Sequence, residues 1–191
     1  MKSQALLWLK RFGQAVGIVS ALAGGWAGYL RLSGNFHPIE EGGIYRSGQL
    51  SGLQFADRIE DNGIRSIINL RGDNTGQPWY DAEMKASRAA GVRHVDFPLS
   101  AGRELTDDQV RQLTAMLQDL PRPILVHCEA GADRSGVVSA LYKLLVAKRP
   151  AEEAAGQLSF RYGHFPWLAS RTAAMDRTFA RVMLQLTAAA P

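Results

Sequence analysis

The chain has 191 residues, 46% of them apolar and 21% charged, enough for one domain with its own core plus an appendage. Its single cysteine excludes an intrachain disulfide framework and any multi-cysteine metal site. Four of the 22 basic side chains, Lys2, Lys10, Arg11 and Arg31, lie in the first 31 residues; the remaining 18 match the 18 acidic ones, so the net charge of +4 gives no case for nucleic-acid binding.

Residues 12–30 contain no charged side chain, close to the roughly 20 residues that span a bilayer as a helix. Lys2, Lys10 and Arg11 precede the run and only Arg31 follows it closely. The positive-inside rule then keeps the N-terminus in the cytoplasm, and Trp26 and Tyr29 fall where interfacial aromatics belong. Segment 1–31 is therefore expected to be a single-pass anchor in the inner membrane, if the source is bacterial, with the rest of the chain outside the cytoplasm. Two other readings stay open. One is a secretory signal cleaved near Ala21-Leu22-Ala23, giving a secreted protein; the other is a buried helix of a soluble core. Gly13/Gly17 and Gly24/Gly28 have the spacing that lets helices pair closely.

Residues 32–43, with Gly34, Asn35, Pro38, Gly42 and Gly43 as breakers, read as a linker. Residues 44–46 read as a strand. Ser51 caps an expected helix carrying Leu53, Phe55, Ala56 and Ile59, stopped by Asn62-Gly63. Residues 64–70 form an apolar strand suited to a sheet covered on both faces. A helix over 79–90 and a strand over 92–99 follow. Thr106-Asp107-Asp108-Gln109 is a near capping box opening a helix with Val110, Leu113, Met116, Leu117 and Leu120 at helical spacing. Residues 123–126 are a buried strand, and 137–145 a helix. Arg149-Pro150 breaks that helix, another is expected over 151–160, and a last one from 165–167 through Leu186, with 188–191 fraying. Strands alternate with helices, so the domain, 44–187, is expected to be α/β: a mainly parallel central sheet flanked by helices, plus the N-terminal helix.

The chemistry concentrates between the strand at 123–126 and the helix after it, in His127-Cys128-Glu129-Ala130-Gly131-Ala132-Asp133-Arg134-Ser135-Gly136. A sharp turn into a helix start leaves amide hydrogens unpaired and carries partial positive charge, which together bind anions. A thiol placed there ionises more readily and becomes a nucleophile. Arg134 can grip two phosphate oxygens at once. Gly131 permits a backbone conformation that a side chain would hinder. Ser135 is a candidate to hydrogen-bond the sulfur and help it leave in the second step.

This stretch resembles the Cys-x5-Arg phosphatases in their long form, His-Cys-x-x-Gly-x-x-Arg-Ser/Thr-Gly, shared by protein tyrosine, dual-specificity and tensin-type lipid phosphatases. Residues 43–49 and 63–71 are similar to the opening strands of compact bacterial dual-specificity-type members. The resemblance covers about 36–179 and implies a phosphotyrosine phosphatase-like fold. It further implies hydrolysis of phosphomonoesters (phosphotyrosine, phosphoserine or threonine, or lipid phosphate) through a thiophosphate on Cys128. The phosphate would sit in the loop from Glu129, Ala130, Gly131 and Ala132 to Asp133 and Arg134, without metal or cofactor. His127 would orient the loop. Expected partners are phosphorylated protein, lipid or small-molecule substrates, no nucleic acid, and a membrane through residues 12–30.

The family's usual acid, an aspartate on the loop after the strand at 92–99, is missing: its place falls at Ser100 or Ala101. Asp133 is the leading candidate, since myotubularin-like and some bacterial phosphatases carry Asp-Arg there and use the aspartate to protonate the leaving group. Glu104 and Asp73 are the alternatives; Asp107 and Asp108 are better explained as helix-start charges. Ala130 and Asp133 stand where lysines would favour polyanionic inositol lipids. Arg161, Tyr162 and His164 are candidate pocket residues, with surface or packing roles as the plainer reading, and Trp79 and Trp167 are core or rim. Two other functions compete: a pseudophosphatase that binds phosphate without turnover, and a rhodanese-type sulfurtransferase.

Overall fold

The computed structural model describes residues 2–188, in two units, one ending at Ser33 and the other beginning at Gly34. The first is a single helix, α1 (Lys2–Leu32). Its segment Lys10–Leu32 is long and apolar enough to cross a membrane by length and composition.

The second unit is built on a five-stranded sheet of β1 (His37–Glu40), β2 (Ile44–Ser47), β3 (Ser66–Asn69), β4 (Arg93–Asp96) and β5 (Ile124–His127), in the order β1-β2-β5-β3-β4. Strands β2, β5, β3 and β4 run parallel, and β1 closes one edge antiparallel to β2, so the sheet is mixed. The helices are α2 (Gly52–Asn62), α3 (Pro78–Ala89), α4 (Asp107–Asp119), α5 (Arg134–Leu141), α6 (Ala151–Ala155) and α7 (Ala173–Ala188).

The apolar runs in the strands follow from helices on both faces. Ile44, Ile68, Ile124 and Val126 point into one cluster with Leu113 and Leu117 of α4, Val137 and Leu141 of α5, and Met175 and Val182 of α7. Their neighbours Tyr45, Ile67 and Leu125 point the other way, into a cluster with Phe55 and Ile59 of α2. The period-2 alternation of a strand thus divides each run between two cores. The capped starts of α2 and α4 agree with the sequence. Ser51 and Gln54 form a complete capping box, as do Thr106 and Gln109, and α2 ends at Gly63 with φ 60°.

Several expectations change. The stretch expected as a linker, 32–43, contains β1, and the unit starts at Gly34 rather than at 44. Pro38, a breaker by its sequence, lies inside β1, because an edge strand tolerates a residue without an amide hydrogen. Leu53 is 81% exposed and takes no part in the core. Helix α5 begins at Arg134, three residues before expected, and passes into a π-helical turn, Tyr142–Val146. Helix α6 stops at Ala155; Phe160–Tyr162 is a separate 3-10 turn. Helix α7 starts only at Ala173, because Leu168 and Ala169 take left-handed backbone conformations that no helix accepts. The expected fraying of 188–191 falls, beyond Ala188, outside the described residues.

Candidate active site

Strand β5 lies between β2 and β3, and Ser47, His127 and Asn69 stand in register across the three. Cys128 therefore leaves the carboxyl end of the central strand, where open α/β sheets bind ligands. Its amide donates to Ser47 O (3.3 Å), its side chain is buried, and Sγ lies 3.5 Å from Ser135 Oγ in the first turn of α5.

The loop from Cys128 to Arg134 is held from beneath by its carbonyls. Gln49 N donates to Glu129 O (2.9 Å), and Asn35 Nδ2 to Ala130 O (2.9 Å). Arg46 Nη2 donates to both Gly131 O (2.8 Å) and Ala132 O (3.0 Å). In a trans peptide the N–H points opposite to the C=O of the preceding residue. Four successive carbonyls drawn down thus turn the amides of Ala130, Gly131, Ala132 and Asp133 to the opposite face of the loop, forming a bowl of donors. The first amide of α5 with a partner one turn back is Val137, to Asp133 O (2.9 Å), which leaves the amides of Arg134, Ser135 and Gly136 to the same bowl. Gly131 has φ 73°, and a Cβ there would lie 2.5 Å from Gly48 N, so the position admits glycine alone.

Arg134 closes the far side. Its Nη1 donates to Leu70 O (3.3 Å) and Leu99 O (3.5 Å), at the ends of β3 and of the segment after β4, and Nη2 lies 3.9 Å from Glu129 Oε2. Two carbonyls and one carboxylate thus fix the guanidinium beside the loop that starts at the sulfur.

His127 is fully buried and its Nε2 lies 2.8 Å from Glu83 Oε1 of α3. The same carboxylate meets His94 Nε2 (2.8 Å) and Gln49 Nε2 (2.9 Å). Burial alone would push the Glu83 carboxyl up; the charge and hydrogen bond of His127, with His94 and Gln49, outweigh it and hold it well below the usual carboxylate range. Arg71, stacked 3.5 Å over Trp79, reaches Gln49 Oε1 (2.8 Å).

Of the candidate acids, only Asp133 belongs to the bowl. It stands at the start of α5 and its Oδ1 meets His164 Nδ1 at 2.7 Å. Glu104 pairs with Arg177 Nε (2.7 Å) and lines a cleft of about 450 Å³ with Pro98, Leu99, Ser100 and Arg103. Asp73 is exposed and accepts from the Thr75 hydroxyl and amide, which hold its carboxyl below the usual value, opposite to what a proton donor needs. Tyr162 is buried, its ring 4.0 Å from the Arg46 guanidinium, and Arg161 is exposed. Trp79 is half-buried under Arg71, and Trp167 is exposed with Phe165 against it.

The sequence reading missed Asn35, Arg46 and Glu83. Asn35 lay in the supposed linker, and nothing in its neighbours signals the loop it supports. The only available signal at Arg46 was an arginine inside an otherwise apolar strand.

A family profile described as "PTP-NADK: DSP-PTPase phosphatase fused to NAD+ Kinase" matches residues 35–176 of the 191. The chain belongs to the DSP-PTPase phosphatase family. It is 31% identical over 118 residues to "Inositol diphosphatase DSP1" of Oryza sativa subsp. japonica, a match covering 58% of this chain and 50% of that one. The chain thus spans about half the length of this curated relative. Among solved structures, P. aeruginosa TpbA is similar with TM-score 0.57 at 21% identity, over 81% of this chain and 92% of that one. The core catalytic domain of the PP-IP phosphatase SIW14 from S. cerevisiae is similar with TM-score 0.60 at 17% identity, over 80% and 93%. At these identities the two structures establish the DSP-PTPase fold. TpbA has also been solved in complex with pTyr.

Proposed function

We propose that this DSP-PTPase family member is a cysteine-dependent phosphatase that hydrolyses phosphomonoesters. The observation that carries the reading is the downward turn of the carbonyls of residues 129–132, which turns four successive amides to the other face of the loop that runs from Cys128 to Arg134. The thiolate attacks phosphorus, the S–P bond forms and the ester P–O bond breaks, and the leaving oxygen takes a proton from Asp133. Water then attacks the thiophosphate, phosphate is released and the thiolate returns, with Ser135 Oγ placed to hydrogen-bond the departing sulfur. The amides and Arg134 hold the equatorial oxygens in both steps.

For substrates, the pTyr complex of TpbA supports phosphorylated protein, and the inositol diphosphatase and PP-IP phosphatase relatives support a small phosphorylated inositol; lipid phosphate rests on the family resemblance alone. Segment 12–30 of α1 is proposed as a membrane anchor that leaves the catalytic unit outside the cytoplasm, with a cleaved signal and a secreted enzyme as the alternative. The binding-only reading keeps one observation in its favour, the absence of an aspartate at Ser100 and Ala101.

The test is phosphate release by the full chain from p-nitrophenyl phosphate, a phosphotyrosine peptide and an inositol phosphate, with vanadate as inhibitor. Vanadate-sensitive release that falls to background in Cys128→Ser is the expected result. Phosphate binding without release from any ester would establish the pseudophosphatase instead.

A further inference from the structure

His164 was expected at most to line the pocket. It is fully buried, in the connection between the 3-10 turn and α7, and both ring nitrogens are engaged by carboxylates. Nδ1 lies 2.7 Å from Asp133 Oδ1 and Nε2 lies 2.9 Å from Asp176 Oδ2 of α7. A neutral imidazole has one N–H, and ionised carboxylates only accept. Two short contacts to two carboxylates therefore require one more proton than a neutral ring carries, and that proton lies on Nδ1, on Nε2 or on one of the carboxyls.

We propose that His164 is the proton reserve of Asp133, a positioning residue that supplies through Asp133 the proton taken by the leaving group. The inference rests on the phosphatase reading above and names the group that keeps Asp133 supplied with the proton it gives. In the first step the S–P bond forms and the ester P–O bond breaks. The proton on Nδ1 crosses to the Asp133 carboxylate, and the leaving oxygen takes a proton from that carboxyl. The pair is left as carboxylate and neutral imidazole. In the second step water gives one proton back to the pair as its oxygen bonds phosphorus and the S–P bond breaks, so the cycle closes with the thiolate and the stored proton restored.

The surroundings favour storage. Burial alone would lower the His164 pKa, but the hydrogen bonds and charges of Asp133 and Asp176 outweigh it and hold it above the ordinary value. Asp133 at the start of α5 and Asp176 on α7 are the ionisable groups bonded to the ring, and Arg46 acts on Asp133 from β2. Asp176 is 40% exposed at its side chain and Asp133 22%, so the stored proton exchanges with solvent through either carboxylate. An aspartate acting alone would lose its proton near pH 4, whereas a pair sharing one proton loses it at a value that belongs to the pair.

The experiment compares the full chain, His164→Gln and Asp176→Asn on an alkyl phosphate and on p-nitrophenyl phosphate, across pH. The alkyl ester needs the proton and the nitrophenolate does not. The expected result for His164→Gln is a roughly 10- to 100-fold fall in kcat for the alkyl ester relative to the aryl one, less than the roughly 10²–10⁴-fold of a general acid itself because Asp133 remains. The alkaline limb of kcat for the alkyl ester should also move to lower pH. Asp176→Asn should move the same limb in the same direction by less, and carries the test if His164→Gln does not fold. A purely structural histidine would lower both esters alike and leave the limb in place, which would overturn the inference while leaving the phosphatase reading intact. Absence of Cys128-dependent release from both esters would overturn both.

Discussion

Arg46 is a fully buried charge whose hydrogen bonds go to four oxygens, none of them a carboxylate: Gln157 O and Oε1, Gly131 O and Ala132 O. A buried cation without a counter-ion is costly. Burial pushes its pKa down to about 10, against the pull of Tyr162, Cys128 and Asp133, so it stays charged at neutral pH. Two of the three groups that stabilise it, Cys128 and Asp133, sit in the phosphate loop, so the charge is answered most fully when the site holds a thiolate or an oxyanion. Arg46 thus shapes the loop through Gly131 and Ala132 and opposes the site's negative charge from beneath. Arg46→Met should cost about 1–3 kcal/mol for each carbonyl left without a donor, read by urea unfolding. It should also weaken vanadate inhibition in a matched assay. Arg46→Lys should rescue little of either, because a single ammonium cannot span Gln157 on one side and two loop carbonyls on the other. Unchanged vanadate affinity in a folded Arg46→Met would show that the charge serves packing alone.

Several elements meet around the loop, and Glu83 shows what α3 contributes. Its carboxylate gathers His127, His94 and Gln49, tying α3 to the end of β5, to β4 and to the turn after β2. The folded pKa lies below the ordinary glutamate value of 4.5, so Glu83 contributes stability that is fully present above that value and is lost as pH falls toward its folded pKa. Glu83→Gln should lower stability at neutral pH by about 1.5–3 kcal/mol, the worth of hydrogen bonds to a charged group. Its difference from the wild type should shrink as pH drops below about 4.5; a difference independent of pH in that window would show that the carboxylate charge is not what stabilises the cluster. Local chemistry was legible in the sequence: the Ser51 cap, the Thr106 box, the apolar strands and the loop from Cys128 to Arg134 each show their cause within a few residues. What supports the loop was not legible. The bonds from Asn35 to Ala130, Arg46 to Gly131, Glu83 to His127 and His164 to Asp133 span 95, 85, 44 and 31 residues. Such pairs exist only once the sheet has brought β1, β2 and β5 together. Edge strand β1 was hidden for the same reason, since its register with β2 makes Pro38 acceptable.

At the scale of the whole molecule, the chain joins two units of opposite character. The unit from Gly34 onward balances its basic and acidic side chains and buries its apolar strands between helices. Helix α1 carries an uncharged run over 12–30 with Phe12, Ile18, Val19 and Leu22 exposed. Large apolar side chains arrayed along 23 residues of helix match the thickness of a bilayer's hydrocarbon core, about 30 Å at 1.5 Å per residue with some tilt. Five glycines within the run lower its hydropathy, so the balance between insertion and passage rests on few residues. Expressed in a bacterium, the full chain should stay with the membrane pellet after alkaline carbonate extraction. An added charge in the centre, Val19→Arg, should release it, because an arginine there costs roughly 2.5–3.5 kcal/mol of insertion. Under the cleaved-signal reading the mature chain would instead appear shorter and soluble, and Val19→Arg would leave the uncleaved precursor in the cytoplasm. A reporter fused after Pro191 separates orientation from attachment. Phosphatase-type reporters active only on export are expected to work, and a fusion that is membrane-bound yet active only in the cytoplasm would reverse the proposed orientation while keeping the anchor.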